Sequence, residues 1–175
     1  MEASLQKLAD DISVLAISVV ANEWRLQGHE LTGAAVKQME TIVRMEINTL
    51  IIEGLVPNYM AINNSGVTAA RIPYTPNSGR PPSKYISGLI DYVKRRMGKS
   101  DKEAKGIAFA IASKHKKEGM PTKGSVRFST TGKRTGFIEQ ALEKKEAEMA
   151  DLINRAIYQS MIITVETFYK SILNR

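Results

Sequence analysis

Leu5, Leu8, Ile12, Leu15 and Val19 recur at intervals of three and four, so the chain opens with an amphipathic helix over about Ala3 to Gln27, ended by Gly28. Val14, Ile17, Val20 and Trp24 make a second side apolar, which calls for neighbours on two faces, within the chain or in another subunit. After Leu31-Thr32-Gly33 the pattern changes. METIVRMEIN and TLIIEGLVP are rich in β-branched residues, and Thr41, Val43, Met45 and Ile47 alternate with polar positions, as do Leu50 and Ile52. This predicts two strands with a tight turn near Asn48-Thr49. A continuous helix from Ala34 to Leu55 is the competing reading, because Met39, Ile42, Val43 and Ile47 also suit helical spacing. NNSG at Asn63 to Gly66 reads as a turn.

Arg71 to Pro82 holds four of the six prolines and reads as a surface arm or loop. A helix then starts near Pro82 or Ser83, with Ile86, Leu89, Ile90, Val93 and Met97 on one face and Gly98 at its end. Ser100 and Glu103 form a capping box for the next helix, whose buried stripe is expected at Ala104, Ile107, Ala108 and Ile111. Met120 to Gly136 is a second exposed connection, with a short strand conceivable at Ser125 to Ser129. Phe137 to Arg175 contains neither Gly nor Pro, which permits one helix of up to ~39 residues. Its later apolar face widens through Ile157, Met161, Ile162, Ile163, Val165, Phe168 and Ile172, more than one packed face of a small monomer uses. That surplus reads either as a central core helix or as a core helix that also meets another subunit.

Length changes the picture little: 175 residues fit one domain, 1–175, with extended loops at 71–82 and 120–136. Cysteine is absent, which removes disulfides and thiolate metal sites. The longest nearly apolar run, Ile12 to Ala21, is about half of the ~20 residues a bilayer span needs, so no membrane partner is expected. The start lacks a basic leader region, and the protein is expected to be used without export.

Charge changes it more. Sixteen Lys and Arg against four Asp and Glu lie between Arg71 and Arg134, a balance of +12, whereas Met1 to Ala70 is −4 and Gly136 to Arg175 is −1. Charge of one sign gathered in the middle third suits phosphate or an acidic protein partner, and equally a pair of solvated helix faces. Lys94, Arg95, Arg96, Lys114, Lys116 and Lys117 are the candidate charged contacts. Base-stacking aromatics are not interleaved with them, so contact with nucleic acid would be non-specific.

Catalytic patterns are missing. Gly98-Lys99-Ser100 resembles the end of a phosphate loop, but Val93 stands where the motif needs Gly. His29 and His115 belong to no metal pattern, and neither a nucleophile triad nor a nucleotide fingerprint stands out, so no enzyme, cofactor or metal is expected.

In order along the chain, Leu31-Thr32-Gly33, GRPPSKYISGLIDYVKRR, GIAFAIASKHKKEGMPTKG and GKRTGFIEQALE resemble a family of tailed-bacteriophage minor tail or tail-completion proteins of the head-to-tail junction, as found in phages and prophages of Bacteroidetes. The likeness covers about Leu31 to Glu143. It implies an α+β fold in which long N- and C-terminal helices and two middle helices surround a small antiparallel sheet. It also implies a structural virion protein, assembled in the bacterial host cytoplasm, whose copies form a homo-oligomeric ring as a neck or connector layer. Partners would be other copies, neck, tail or portal-proximal proteins, and packaged DNA if the basic segment lines the channel. Ile162, Phe168, Arg71, Tyr74 and Arg80 are the candidate subunit contacts. The alternative is a small basic protein that binds nucleic acid non-specifically.

Overall fold

The computed structural model describes residues 2–46, 49–76 and 81–173. The fold is α+β. In chain order it comprises α1 (Glu2–Leu26), α2 (Ala34–Lys37), β1 (Glu40–Glu46), β2 (Thr49–Leu55), α3 (Asn58–Ser65), α4 (Lys84–Met97), α5 (Asp101–Glu118), α6 (Phe137–Glu143) and α7 (Glu146–Leu173). Short 3-10 turns occur at Ala69–Arg71 and Lys123–Phe128. These residues form two compact units, one of Met1–Glu23, Gln38–Val56 and Ile138–Arg175, the other of Trp24–Lys37 and Pro57–Phe137. The chain passes from one unit to the other four times.

In the first unit, β1 and β2 pair antiparallel in a register that sets Glu40 opposite Leu55 and Val43 opposite Ile52. Alternation therefore wins over the helical reading of 34–55, of which only α2 survives. One face carries Thr41, Val43, Leu50 and Ile52, all half-buried. The other carries the diagonal Arg44–Glu53 ion pair at 2.5 Å and exposed Ile42. Residue 48 of the expected turn lies outside the described residues.

The single long C-terminal helix is corrected to two. At Lys144-Lys145 the Lys145 amide bonds to the Leu142 carbonyl three residues back, at 3.0 Å, and the spiral restarts with the Met149 amide on the Lys145 carbonyl. No helix-breaking residue causes this. Lys144 Nζ reaches the Glu23 carboxylate at 2.7 Å, and Glu23 is only 2% exposed, so the bend coincides with the pairing of a buried charge from α1.

In the second unit, α4 and α5 form a helical hairpin. Ser83 caps α4, its hydroxyl accepting from the Ile86 amide, and Gly98 ends it in the left-handed region. The expected capping box opens α5, with the Glu103 carboxylate accepting from the Ser100 amide and hydroxyl. Lys94 pairs with Asp101 at one end of the hairpin, and Tyr85 bonds His115 at the other. The stripe of α5 is rotated from the expected one: Ala104, Ala108 and Ala112 are buried, while Ile107 and Ile111 are half-buried. Likewise Ile86 and Val93 are the buried residues of α4, and Met97 is exposed. Small side chains at the contact let the two backbones approach closely.

Two further expectations change. NNSG is the last turn of α3, with Gly66 after it, because Pro57 starts a helix that buries Met60. Ser125 to Phe128 lies in a 3-10 turn rather than a strand, tightened by the Ser125 amide and hydroxyl, both bonded to the Thr122 carbonyl.

The end of α1 is held by several hydrogen bonds. The His29 amide reaches the Trp24 carbonyl and the Gly28 amide the Arg25 carbonyl, the paired bonds of a Schellman cap. The two carbonyls left over are taken by the connection after α5. Leu26 accepts from the Thr130 amide and hydroxyl, both at 2.9 Å, and Gln27 accepts from Arg134 at 2.5 Å. Gly28 has φ +72°, and a Cβ there would stand 2.1 Å from the Phe128 carbonyl oxygen. Gly28→Ala is therefore expected to cost roughly 2–4 kcal/mol through backbone strain and overpacking, read as a lower midpoint in urea unfolding.

Candidate interaction surfaces

The six candidate cations do not form one patch. Lys94, Arg95 and Arg96 lie in the last turn of α4, beside the start of α5, whereas Lys114, Lys116 and Lys117 lie at the far end of α5. From Asp101 to Lys116 the helix rises roughly 22 Å at 1.5 Å per residue. Each cluster is also partly occupied. Lys94 holds Asp101 at 2.7 Å and Lys114 holds Glu118 at 3.7 Å. Arg96 donates to the Glu30 carbonyl at 3.2 Å, and Lys116 donates to the carbonyls of Ala70 and Ile72 at 3.5 and 3.1 Å. Arg95 and Lys117 are exposed and have no ion-pair partner among the described residues.

Three basic side chains thus serve main-chain carbonyls: Arg96, Lys116 and Arg134, the last missing from the candidate set. At Gln27 a cation suits the position, because the carbonyl is left over at the C-terminal end of α1, where the helix dipole is negative. Lys-Arg spacing carries no mark of this role, since the carbonyl partners lie 44 to 107 residues away in the chain. Burial lowers the Arg134 pKa, with Arg96 also disfavouring its charge.

The arm divides. Ile72 is 3% exposed, and Tyr74 lies with its ring 6.2 Å from that of Phe109 and its hydroxyl accepting from Ser113 at 3.3 Å. The first residues of the arm therefore pack on α5 of their own chain, correcting the picture of a free surface arm there. Lys116 fixes the preceding turn. Arg71 is exposed, and Thr75, Pro76, Pro81 and Pro82 are exposed as well. Arg80 lies outside the described residues, as does the Phe168 side chain.

The surplus apolar stretch of α7 is open to solvent. Tyr158 is 67% exposed, Met161 62% and Val165 66%, with Ile157, Ile162 and Ile163 also exposed. Of the predicted second face of α1, Val20 and Trp24 are buried and Val14 is exposed. Among the described residues no helix is long and apolar enough to cross a membrane, and no group of three or more His, Asp and Glu could hold a metal ion.

Below the Schellman cap lies an aromatic cluster that the sequence did not single out. His29 stacks on Trp24 at 4.6 Å, and Phe137 meets Trp24 edge-on at 5.0 Å. Nε1 of Trp24 and Nε2 of His29 are buried without a hydrogen-bond partner among the described residues. Burial lowers the His29 pKa to about 4, helped by the Arg134 charge, while a hydrogen bond with the Arg134 backbone pulls the other way. His115, set against Tyr85, is also lowered, chiefly by burial. Burial raises the Tyr85 hydroxyl to about 12.

Comparison with protein-family models, with curated proteins and with solved structures gave no match.

The two histidines give a pH dependence whose sign follows from proton counting. Between the ordinary imidazole value of about 6.5 and about 4, the unfolded chain binds a proton at residue 29 that the folded chain does not. Stability is therefore expected to fall as pH drops through that window and to be flat in this respect above it. Urea midpoints measured across the window should slope for the native protein and less for His29→Gln, with His115 and, toward the acid end, Glu103 and Asp151 contributing the rest. Arg134→Met should cost roughly 1–3 kcal/mol by orphaning the Gln27 carbonyl. Arg95→Ala should stay within about 0.5 kcal/mol, as an exposed position does.

Proposed function

We propose that this protein is a non-catalytic structural component of a tailed-bacteriophage virion, forming a homo-oligomeric ring at the head-to-tail junction as a neck or tail-completion layer. The observation that carries the reading is the exposed apolar stretch of α7 from Ile157 to Val165. A helix with several large apolar side chains in water is the signature of a surface made to be covered by another chain. The order of the segments that resemble the tail-completion family supports the virion setting. Neighbouring layers would be portal-proximal, neck or tail proteins of the same particle.

The exposed cations Arg95 and Lys117 favour one other reading, a small basic protein that binds nucleic acid without sequence preference. The two readings part on assembly. The native protein should sediment as a large ring, and Ile162→Asp should yield a folded monomer, since burying an unpaired carboxylate in the interface costs several kcal/mol. Circular dichroism checks the fold and sedimentation velocity the assembly. A native protein that is monomeric and binds unrelated duplexes equally, with affinity falling steeply between ~50 and ~200 mM salt, would replace the ring by the nucleic-acid reading.

A further inference from the structure

The unit made of Trp24–Lys37 and Pro57–Phe137 is basic, with eighteen Lys and Arg against five Asp and Glu, and the other unit is acidic, with seven against thirteen. Carboxylates are so scarce in the basic unit that some of its cations lack a counter-charge. Two of these are fixed on one turn of chain. Arg134 Nη1 donates to the Gln27 carbonyl at 2.5 Å and Arg96 Nη1 to the Glu30 carbonyl at 3.2 Å, and the two carbonyls flank the Gly28-His29 cap. Arg134 comes from the connection after α5 and Arg96 from the last turn of α4, so the two guanidiniums reach this turn from different parts of the unit. Gly28 makes room for the first, since a Cβ there would stand 2.8 Å from Arg134 Nη1. A bond to a carbonyl holds each guanidinium and leaves its other N–H groups as donors.

Neither is paired with a carboxylate among the described residues. Glu30 lends its carbonyl to Arg96 but its carboxylate to Arg25, at 2.5 Å. Asp101, at the start of α5, is held by Lys94. Arg134 Nε is buried and has no hydrogen-bond partner among the described residues. Burial lowers the Arg134 pKa, and of the groups whose charges it feels Tyr92 raises it while Arg96 lowers it further. Tyr92 stands one turn before Arg96 on the same face of α4, and both are exposed, so the cluster is open to water on that side. Two neighbouring cations, one of them half-buried, thus lie beside a phenol hydroxyl with no anion of the chain's own among the described residues.

We propose that Arg96, Arg134 and Tyr92 form a binding site for a phosphate group. Like charges held close together, one of them partly withdrawn from water, carry a cost that an anion offsets. Phosphate offers two charges and acceptors on several oxygens, which suits donors arriving from two guanidiniums and a phenol, whereas a carboxylate brings one charge and two oxygens. Main-chain anchoring leaves the guanidiniums little freedom to lose on binding. A free phosphate ion and a phosphate of a nucleic-acid backbone share this chemistry, and the measurements below separate them.

Calorimetric titration of the full chain with inorganic phosphate near neutral pH, against sodium chloride at matched ionic strength, reads the site. Arg96→Met should bind phosphate roughly tenfold more weakly than the native protein, the loss of one charge-assisted bond. Arg95→Met removes the same charge one residue away and should bind as the native protein does. Tyr92→Phe, which removes only a hydroxyl from an exposed position, should weaken binding by a smaller factor and keeps the test open if Arg96→Met misfolds by circular dichroism. Displacement of phosphate by unrelated duplex DNA would assign the group to a nucleic-acid backbone, and phosphate that stays bound in its presence would assign it to the free ion. The His29 ring supplies a separate readout, because its pKa of about 4 is held down by burial and then by the Arg134 charge. Sulfate, which keeps both charges at that acidity, should raise the His29 midpoint seen by NMR in the native protein and not in Arg96→Met. A native protein that takes up neither phosphate nor duplex, equal weakening by Arg95→Met and Arg96→Met, or a His29 midpoint unmoved with sulfate bound would overturn the site.

Discussion

Four carbonyl groups at the end of α1 set the terms for the unit that follows. A helix cannot satisfy its own last carbonyls, and burying them unpaired costs about 1–3 kcal/mol each. Two are met locally by the Schellman cap at Gly28 and His29, and two by Thr130 and Arg134, more than a hundred residues later. That second pair draws the connection after α5 back onto the start of the unit. With it come Phe128, whose carbonyl presses on Gly28, and Phe137, whose ring completes the cluster around Trp24. An antiparallel bridge between Val67 and Met120, with amide bonds of 2.6 and 2.7 Å in both directions, fixes the other side of the same connection. The glycine-rich, lysine-rich stretch is thus a clamp built from irregular backbone.

The same accounting alters the meaning of the basic composition. Arg96, Lys116 and Arg134 spend their hydrogen bonds on main-chain oxygens, and Lys94 and Lys114 on nearby carboxylates. Their charge remains, so the electrostatic field of the unit is still strongly positive, but their geometry is committed. What stays exposed without an ion-pair partner among the described residues is a smaller set that includes Arg95 and Lys117.

Local rules made much of the fold legible. Gly28 and Gly98 end helices as read, Ser100 and Glu103 open one, and alternation at Thr41 to Met45 identifies a strand against a plausible helix. The failures share a cause. The break at Lys144 has no helix breaker and coincides with Lys144 meeting Glu23, 121 residues away. The 3-10 turn at Lys123–Phe128 looks extended in composition but serves the clamp. The stripe of α5 turned toward Ala112 because the facing helix favours small residues at the contact, which periodicity alone does not rank. Among the candidate subunit contacts, Tyr74 is seated against Phe109 of its own chain, a neighbour 35 residues on that local sequence does not reveal. The histidine cluster was invisible because His29 and Phe137 are far apart in sequence.

Neither unit is built from a continuous piece of chain. The acidic one takes segments from the beginning, the middle and the end, with the basic one threaded between them. A ribosome delivers these segments in order, so the strands and the first helix must wait through eighty residues of the other unit before α6 and α7 emerge. Loop closure over that span is entropically slow to achieve, so the basic unit can complete its own contacts before the acidic one has its last segment. The buried carboxylate of Glu23 on the first helix thus stays without its lysine until the segment that carries Lys144 has followed the whole of the basic unit.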